Sequence, residues 1–204
     1  WRFIYYLMEQ MANMERVLKR QKYIPVVTFT ENDDVERFAD FLLDQGVSCI
    51  EITLRTPFAM QAIRNLKNAY GDRLIIGAGT VTHVDQILEL KKIGVDFLVC
   101  PGLIRELFDA ATKASIPFLP GVATPTEIMN ARAWGIKWLK FFPANVNGGS
   151  IALKAYASVF ADIRFCPTGG ISRESSSEYL NLPNVFAVGG SWFQKEFPNK
   201  QNSE

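Results

Sequence analysis

Eight short segments rich in β-branched and aromatic residues recur along this chain, with helical periodicity between them. Few folds accommodate that rhythm. The strand-like segments are Ile24–Phe29, Cys49–Leu54, Leu74–Ala78, Phe97–Cys100, Phe118–Pro120, Trp138–Phe142, Ile163–Cys166 and Val185–Val188. Helical patterns lie at Asp33–Gln45, Pro57–Ala69, Val84–Ile93, Arg105–Ala114, Pro125–Trp134, Ile151–Ala161 and Ser172–Leu180. Strict alternation calls for parallel strands joined by crossover helices. Eight units within 204 residues predict an α/β fold, a single compact (β/α)8 TIM barrel. An open doubly wound sheet is the structural alternative.

The reading divides the chain into an N-terminal extension and helix (1–20), the barrel (21–192) and a C-terminal tail (193–204). Met8 to Lys19 has an amphipathic helical pattern. The stretch Trp1–Leu7 lacks a small-residue cleavage site and a long apolar core, so it is not read as a signal peptide. Met8, Met11 and Met14 are each candidate starts. After Trp192 come six residues ending at Pro198 and then a polar tail. Proline argues against a full helix there, so a shortened C-terminal end is expected.

Composition narrows the function classes. A net charge of +1 points to neither nucleic acid nor an anionic membrane as partner. No apolar run approaches the roughly 20 residues of a membrane span. Cys49, Cys100 and Cys166 sit in apolar strands at spacings that suit neither zinc nor a disulfide framework. Buried free thiols of a cytoplasmic protein are expected. The single histidine, His83, stands where a helix should begin and is read as a surface residue.

Turn chemistry then marks one end of the barrel. Strands run into Gly-Ala-Gly-Thr (77–80), Pro-Gly (101–102), Pro-Gly (120–121), Pro-Thr-Gly-Gly (167–170) and Gly-Gly-Ser (189–191). Any one such turn can need glycine for backbone reasons alone. Five at the C-terminal ends of strands favour a site over that rim.

Lys140 lies within Trp-Leu-Lys-Phe-Phe-Pro (138–143), an odd place for an ammonium. Burying an unpaired ammonium is costly and favours the neutral amine, which can attack a carbonyl to form a Schiff base. An edge-strand lysine with its head in water is the plainer alternative. Strand alternation groups Cys49, Glu51, Thr53 and Arg55 on one face and Ile50, Ile52 and Leu54 on the other. The apolar set must face helices, so Glu51 and Arg55 point inward. The same parity turns Trp138, Lys140 and Phe142 inward. One pocket could therefore hold Lys140, Glu51 and Arg55, either as a reactive centre or as a structural Lys–Glu pair. As chemistry, the amine attacks a ketone, the carboxylate shuttles protons and the guanidinium grips a substrate carboxylate. Gly169, Gly170, Gly190 and Ser191 end the seventh and eighth strands, the usual phosphate position of such barrels.

These segments resemble a known family. Glu-Ile-Thr-Leu-Arg-Thr (51–56), Gly-Ala-Gly-Thr-Val (77–81), Pro-Gly (101–102), Lys-Phe-Phe-Pro-Ala (140–144), Phe-Cys-Pro-Thr-Gly-Gly-Ile (165–171) and Gly-Gly-Ser-Trp (189–192) are similar, in order, to the class I aldolases that cleave 2-dehydro-3-deoxy-6-phosphogluconate and 4-hydroxy-2-oxoglutarate (KDPG/KHG aldolases). The resemblance implies an imine on Lys140 and general acid/base work by Glu51 through water. It implies that Arg55 and Thr80 hold the pyruvate carboxylate, and that Pro101 and Phe142 line the pocket. Thr168 would touch the substrate chain, and Gly169, Gly170, Gly190 and Ser191 would take a phosphate. It further implies a small 2-oxo acid as substrate, no metal or other cofactor, and a homotrimer. Two departures stand out: Asn145 occupies a position where an acidic residue is expected, and the expected final helix is missing its length after Trp192. The alternatives are a non-catalytic phosphosugar-binding barrel and a related 2-oxo acid lyase or decarboxylase acting through the same imine. Retention of both Lys140 and Glu51 argues against the first.

Overall fold

A computed structural model of the chain describes residues 14–198. Of the expected N-terminal helix, residues 14–18 are helical, while Met8 to Asn13 lie outside the described residues, as does the tail from Asn199 onward. The strands are β1 (Tyr23–Val27), β2 (Cys49–Thr53), β3 (Ile75–Gly79), β4 (Phe97–Cys100), β5 (Phe118–Val122), β6 (Trp138–Phe141), β7 (Arg164–Pro167) and β8 (Val188–Gly190). The helices are α1 (Val35–Asp44), α2 (Ala59–Tyr70), α3 (Val84–Ile93), α4 (Arg105–Ala114), α5 (Pro125–Ala133), α6 (Gly149–Val159), α7 (Arg173–Leu180) and α8 (Trp192–Glu196).

All paired strands are parallel, in the order β7-β6-β5-β4-β3-β2-β1-β8. Isolated parallel bridges Phe165↔Val185 and Thr168↔Gly189 close the ring between β7 and β8. The eighth strand differs from expectation. Val185 makes only a single bridge, because its N–H is turned back onto the Leu182 carbonyl, and the ladder with β1 starts at Val188.

Local chemistry explains the helix ends. The Asp34 side chain accepts the Arg37 N–H and starts α1. Thr124 and Glu127 form a reciprocal capping box over Pro125 at the start of α5. Gly94 ends α3 in the left-handed region, at φ 82°, which glycine adopts without steric cost. His83 is exposed at the head of α3, and Gln86 accepts its N–H.

Strand alternation produces two cores. Outward residues such as Val27, Ile50, Ile52, Ile76, Leu139, Phe141 and Phe165 pack against the helices. Inward residues Ile24, Cys49, Phe97, Val99, Leu119, Cys166 and Ala187 form a second cluster, joined by Met14 and Leu18 of the N-terminal helical turn. That turn covers the N-terminal mouth of the barrel, so access to the interior is from the strand C-termini.

Candidate active site

The pairings set the height of each inward side chain. Glu51 is level with Val26 of β1 and Gly77 of β3. Lys140 is level with Gly121 of β5 and Cys166 of β7. Glu51 and Lys140 are 2% and 5% exposed, and Lys140 Nζ donates to Glu51 Oε1 at 3.2 Å. The water-exposed lysine is thereby excluded. Two charges in an apolar barrel persist only when paired, and each is the other's partner.

Absent side chains make room for this pair. A Cβ on Gly79 would lie 2.2 Å from Glu51 Oε1, so the carboxyl group occupies the volume that any larger residue there would take. A Cβ on Gly121 would lie 2.2 Å from the Pro101 carbonyl oxygen, which allows β4 and β5 to close beside the lysine. The Phe142 ring centroid lies 5.1 Å from Lys140 Nζ, a cation–π distance, and walls the pocket on that side.

Arg55 and Thr80 stand higher, on the rim, where Arg55 Nε donates to Thr80 Oγ1 at 3.1 Å. Arg55 is exposed and bonds Thr80 instead of Glu51, so the expected triad resolves into a buried pair and a rim arginine. Thr80 has φ 57°. That conformation is a rarity for a β-branched residue and costs about 1–3 kcal/mol. Bonds on either side hold it: Leu54 N–H to the Gly79 carbonyl at 2.8 Å and Val81 N–H to the Val99 carbonyl at 3.1 Å. The turn leaves the threonine hydroxyl within reach of Arg55 on the rim.

Thr168 is 6% exposed and fills the space over Gly189, where a Cβ would lie 2.2 Å from its Oγ1. Gly169 and Gly170 have φ 105° and 70°, values that favour glycine. Asn145 packs over Gly170, and its N–H bonds the Gly169 carbonyl at 3.1 Å. The asparagine thus belongs to the turn that shapes this part of the rim. Gly190 is buried beneath the Trp192 ring, while Ser191 is exposed at the head of α8. Pro101 is an exposed rim residue after β4.

The site is thus a buried lysine–carboxylate pair with an arginine on the rim above it. A profile described as "Aldolase: KDPG and KHG aldolase" matches residues 14–203. The chain belongs to the KDPG and KHG aldolase family. It is 43% identical over 181 residues to the 2-dehydro-3-deoxy-phosphogluconate aldolase of Dickeya dadantii, covering 89% of this chain and 84% of that protein. A crystal structure of KDPG aldolase from Legionella pneumophila, with pyruvate captured as a covalent carbinolamine intermediate, superposes with a TM-score of 0.83. The identity is 43%, over 86% of this chain and 85% of that one. The 2-keto-3-deoxy-6-phosphogluconate aldolase of Zymomonas mobilis ZM4, solved with 3-phosphoglycerate, has a TM-score of 0.85 at 38% identity, over 89% and 86% of the two chains.

The aldolase keeps its thiols out of the chemistry. Cys49, Cys100 and Cys166 are buried and free. Burial pushes the Cys166 thiol up to about 12, with the Lys140 ammonium offsetting only part of that rise. A protonated thiol is a poor nucleophile.

Reasoning on sequence missed several residues that shape the aldolase site. Gly79, Gly121 and Gly189 are visible in the sequence only as turn glycines, although each accommodates a neighbour's side chain or carbonyl group. Thr28 lies within the first predicted strand, Ile24–Phe29. The alternation applied to β2 would have placed it: counting from Val26, which is level with Glu51, Thr28 falls on the same inward side.

Proposed function

We propose that Lys140 is the imine-forming amine of this aldolase and that Glu51 is its proton carrier. The observation that carries this reading is the 3.2 Å contact between two buried charges. The aldolase is a carbon–carbon lyase, and its cleavage of a 4-hydroxy-2-oxo acid can be followed group by group. Transfer of one proton from Lys140 Nζ to Glu51 turns the ion pair into a neutral amine beside a carboxylic acid, with no change in net charge. The amine attacks C2 of the 2-oxo acid, and the acid returns a proton to the developing alkoxide. Loss of water from the carbinolamine leaves an iminium ion. The Glu51 carboxylate, directly or through water, then takes the proton of the C4 hydroxyl. The C3–C4 bond breaks, its electron pair moves into the iminium as an enamine, and an aldehyde departs. Protonation of the enamine at C3 and hydrolysis of the imine release pyruvate.

Arg55 and Thr80 hold the substrate carboxylate in this reading, since a guanidinium oriented by a hydroxyl suits a planar anion. Phe142 and Pro101 exclude water from the imine. Thr168 contacts the substrate chain between the two ends. Gly169, Gly170, Gly190 and Ser191 receive the phosphate of 2-dehydro-3-deoxy-6-phosphogluconate, giving glyceraldehyde 3-phosphate. With 4-hydroxy-2-oxoglutarate the aldehyde is glyoxylate. Borohydride added with pyruvate tests the reading: a reduced adduct on the peptide containing Lys140 supports it, and a wild-type protein that gives none overturns it.

The phosphate end has its own test. Ser191→Asp places a like charge beside the anion. Cleavage of the phosphorylated sugar acid should fall by at least about tenfold, since one unfavourable contact of 1.4 kcal/mol has that effect. Cleavage of 4-hydroxy-2-oxoglutarate should change far less. Equal losses on both substrates would make this rim purely structural.

A cytoplasmic homotrimer completes the proposal. No helix among the described residues is long and apolar enough to cross a membrane. The outer face near α6 exposes Val146 (72%), Ile151 (77%) and Val159 (66%), apolar surface suited to contact between copies. Light scattering should give a mass three times that of the chain, and a monomer would dismiss the trimer.

A further inference from the structure

Thr28 and Thr53 form a polar pair in the barrel interior that the mechanism above does not use. Their hydroxyl oxygens are 2.7 Å apart. Thr53 is wholly buried, and its side chain shares a face with Glu51, two residues below it in β2. Thr28 is partly exposed, so its hydroxyl is the member of the pair that reaches the cavity. Two residues of strand place it about 6.6 Å above the level of Glu51, toward the rim. Gln194 of α8 fixes its main chain at both ends: Thr28 N–H donates to Gln194 Oε1 at 3.1 Å, and Gln194 Nε2 donates to the Thr28 carbonyl at 2.8 Å. A hydroxyl offers one donor and two acceptor positions. Whichever threonine donates to the other, Thr28 retains capacity for a further bond.

Sheet order says what passes beneath it. β1 lies between β2 and β8. Arg55 follows β2, and Gly190 and Ser191 end or follow β8. A substrate anchored by its carboxylate at Arg55 and extended toward the β8 rim must cross the end of β1. Thr28 is the hydroxyl there, with Thr168 at the end of β7 on the far side of β8.

We propose that Thr28, oriented by Thr53, binds the C4 hydroxyl of the 4-hydroxy-2-oxo acid and so selects for hydroxylated substrates. This rests on the imine chemistry assigned to Lys140. Thr28 is a substrate-binding residue, and Thr53 is a positioning residue that acts through it.

The test compares two reactions that differ in the hydroxyl. Pyruvate, which lacks C4, is trapped on Lys140 with borohydride, and 4-hydroxy-2-oxoglutarate is cleaved under steady-state conditions. The double variant Thr28→Val/Thr53→Val removes both hydroxyls and leaves neither without a partner, so it avoids the penalty of an orphaned buried group. It should trap pyruvate at the wild-type rate. Its kcat/KM for 4-hydroxy-2-oxoglutarate should fall about three- to tenfold, the worth of one hydrogen bond, and Thr28→Ser should retain most of the activity. Cleavage at the wild-type rate by the double variant would overturn the proposal, and so would a parallel loss of trapping. If the double variant does not fold, Thr28→Ala compared with Thr28→Ser decides: equal activity overturns the proposal, and a loss confined to Thr28→Ala cleavage supports it. A wild-type protein that fails to trap pyruvate rejects the lysine chemistry instead, a result separate from any of these.

Discussion

Lys140→Ala reduces cleavage of either 2-oxo acid to background and abolishes borohydride trapping by pyruvate. The expected loss is on the order of 10⁶-fold, because the covalent route disappears and no other amine lies in the pocket wall described above. Lys137 and Lys154 offer no replacement. Lys137 lies within 3.7 Å of Asp162 outside the barrel, and Lys154 is exposed on α6. A reduced pyruvate adduct on either residue in the variant would refute the assignment. The same substitution leaves Glu51 buried without its cation. Breaking a buried pair costs about 3–5 kcal/mol, so the urea midpoint should fall together with activity. A variant that loses all activity at unchanged stability would mean that Glu51 has another partner.

Glu51→Gln separates binding from proton transfer. The amide keeps the shape of the carboxylate and an acceptor for Lys140 Nζ, but is neither acidic nor basic enough to relay a proton. Turnover should fall by about 10²–10⁴-fold, the usual contribution of a general acid/base group. Pyruvate should still label Lys140, more slowly. Quench kinetics of trapping beside steady-state cleavage make the distinction, and an unchanged kcat would remove Glu51 from the mechanism.

Much of this was legible because the chain repeats one local rule. Periodicity switches between two and 3.6, and the strand and helix spans from β2 through α7 follow from it to within a few residues. Alternation along β2 and β6 sufficed to bring Glu51 and Lys140 into one interior. Their direct contact was not legible, because it depends on the stagger between strands four positions apart in chain order. Nor was the separation of Arg55 from the pair: it lies past the end of β2 and bonds Thr80 on the rim. Glycine roles were hidden for a related reason: a missing Cβ says nothing in sequence about which neighbour uses the space. The end of the barrel was half legible. Pro198 foretold a short last helix, and α8 stops at Glu196, but nothing in the sequence tied Gln194 to β1.

That tie gives the site an unequal resistance to local opening. The backbone groups of Thr28 are capped by a side chain from a five-residue helix, whereas those of β2 and β3 are locked in a full ladder. Short helical turns fray at a free energy far below that of global unfolding. Each fraying of α8 uncaps the end of β1 while the lysine–glutamate floor stays intact. Hydrogen exchange at the Thr28 amide therefore reports on the docking of α8, and the rim can loosen without disturbing the Lys140–Glu51 pair beneath it.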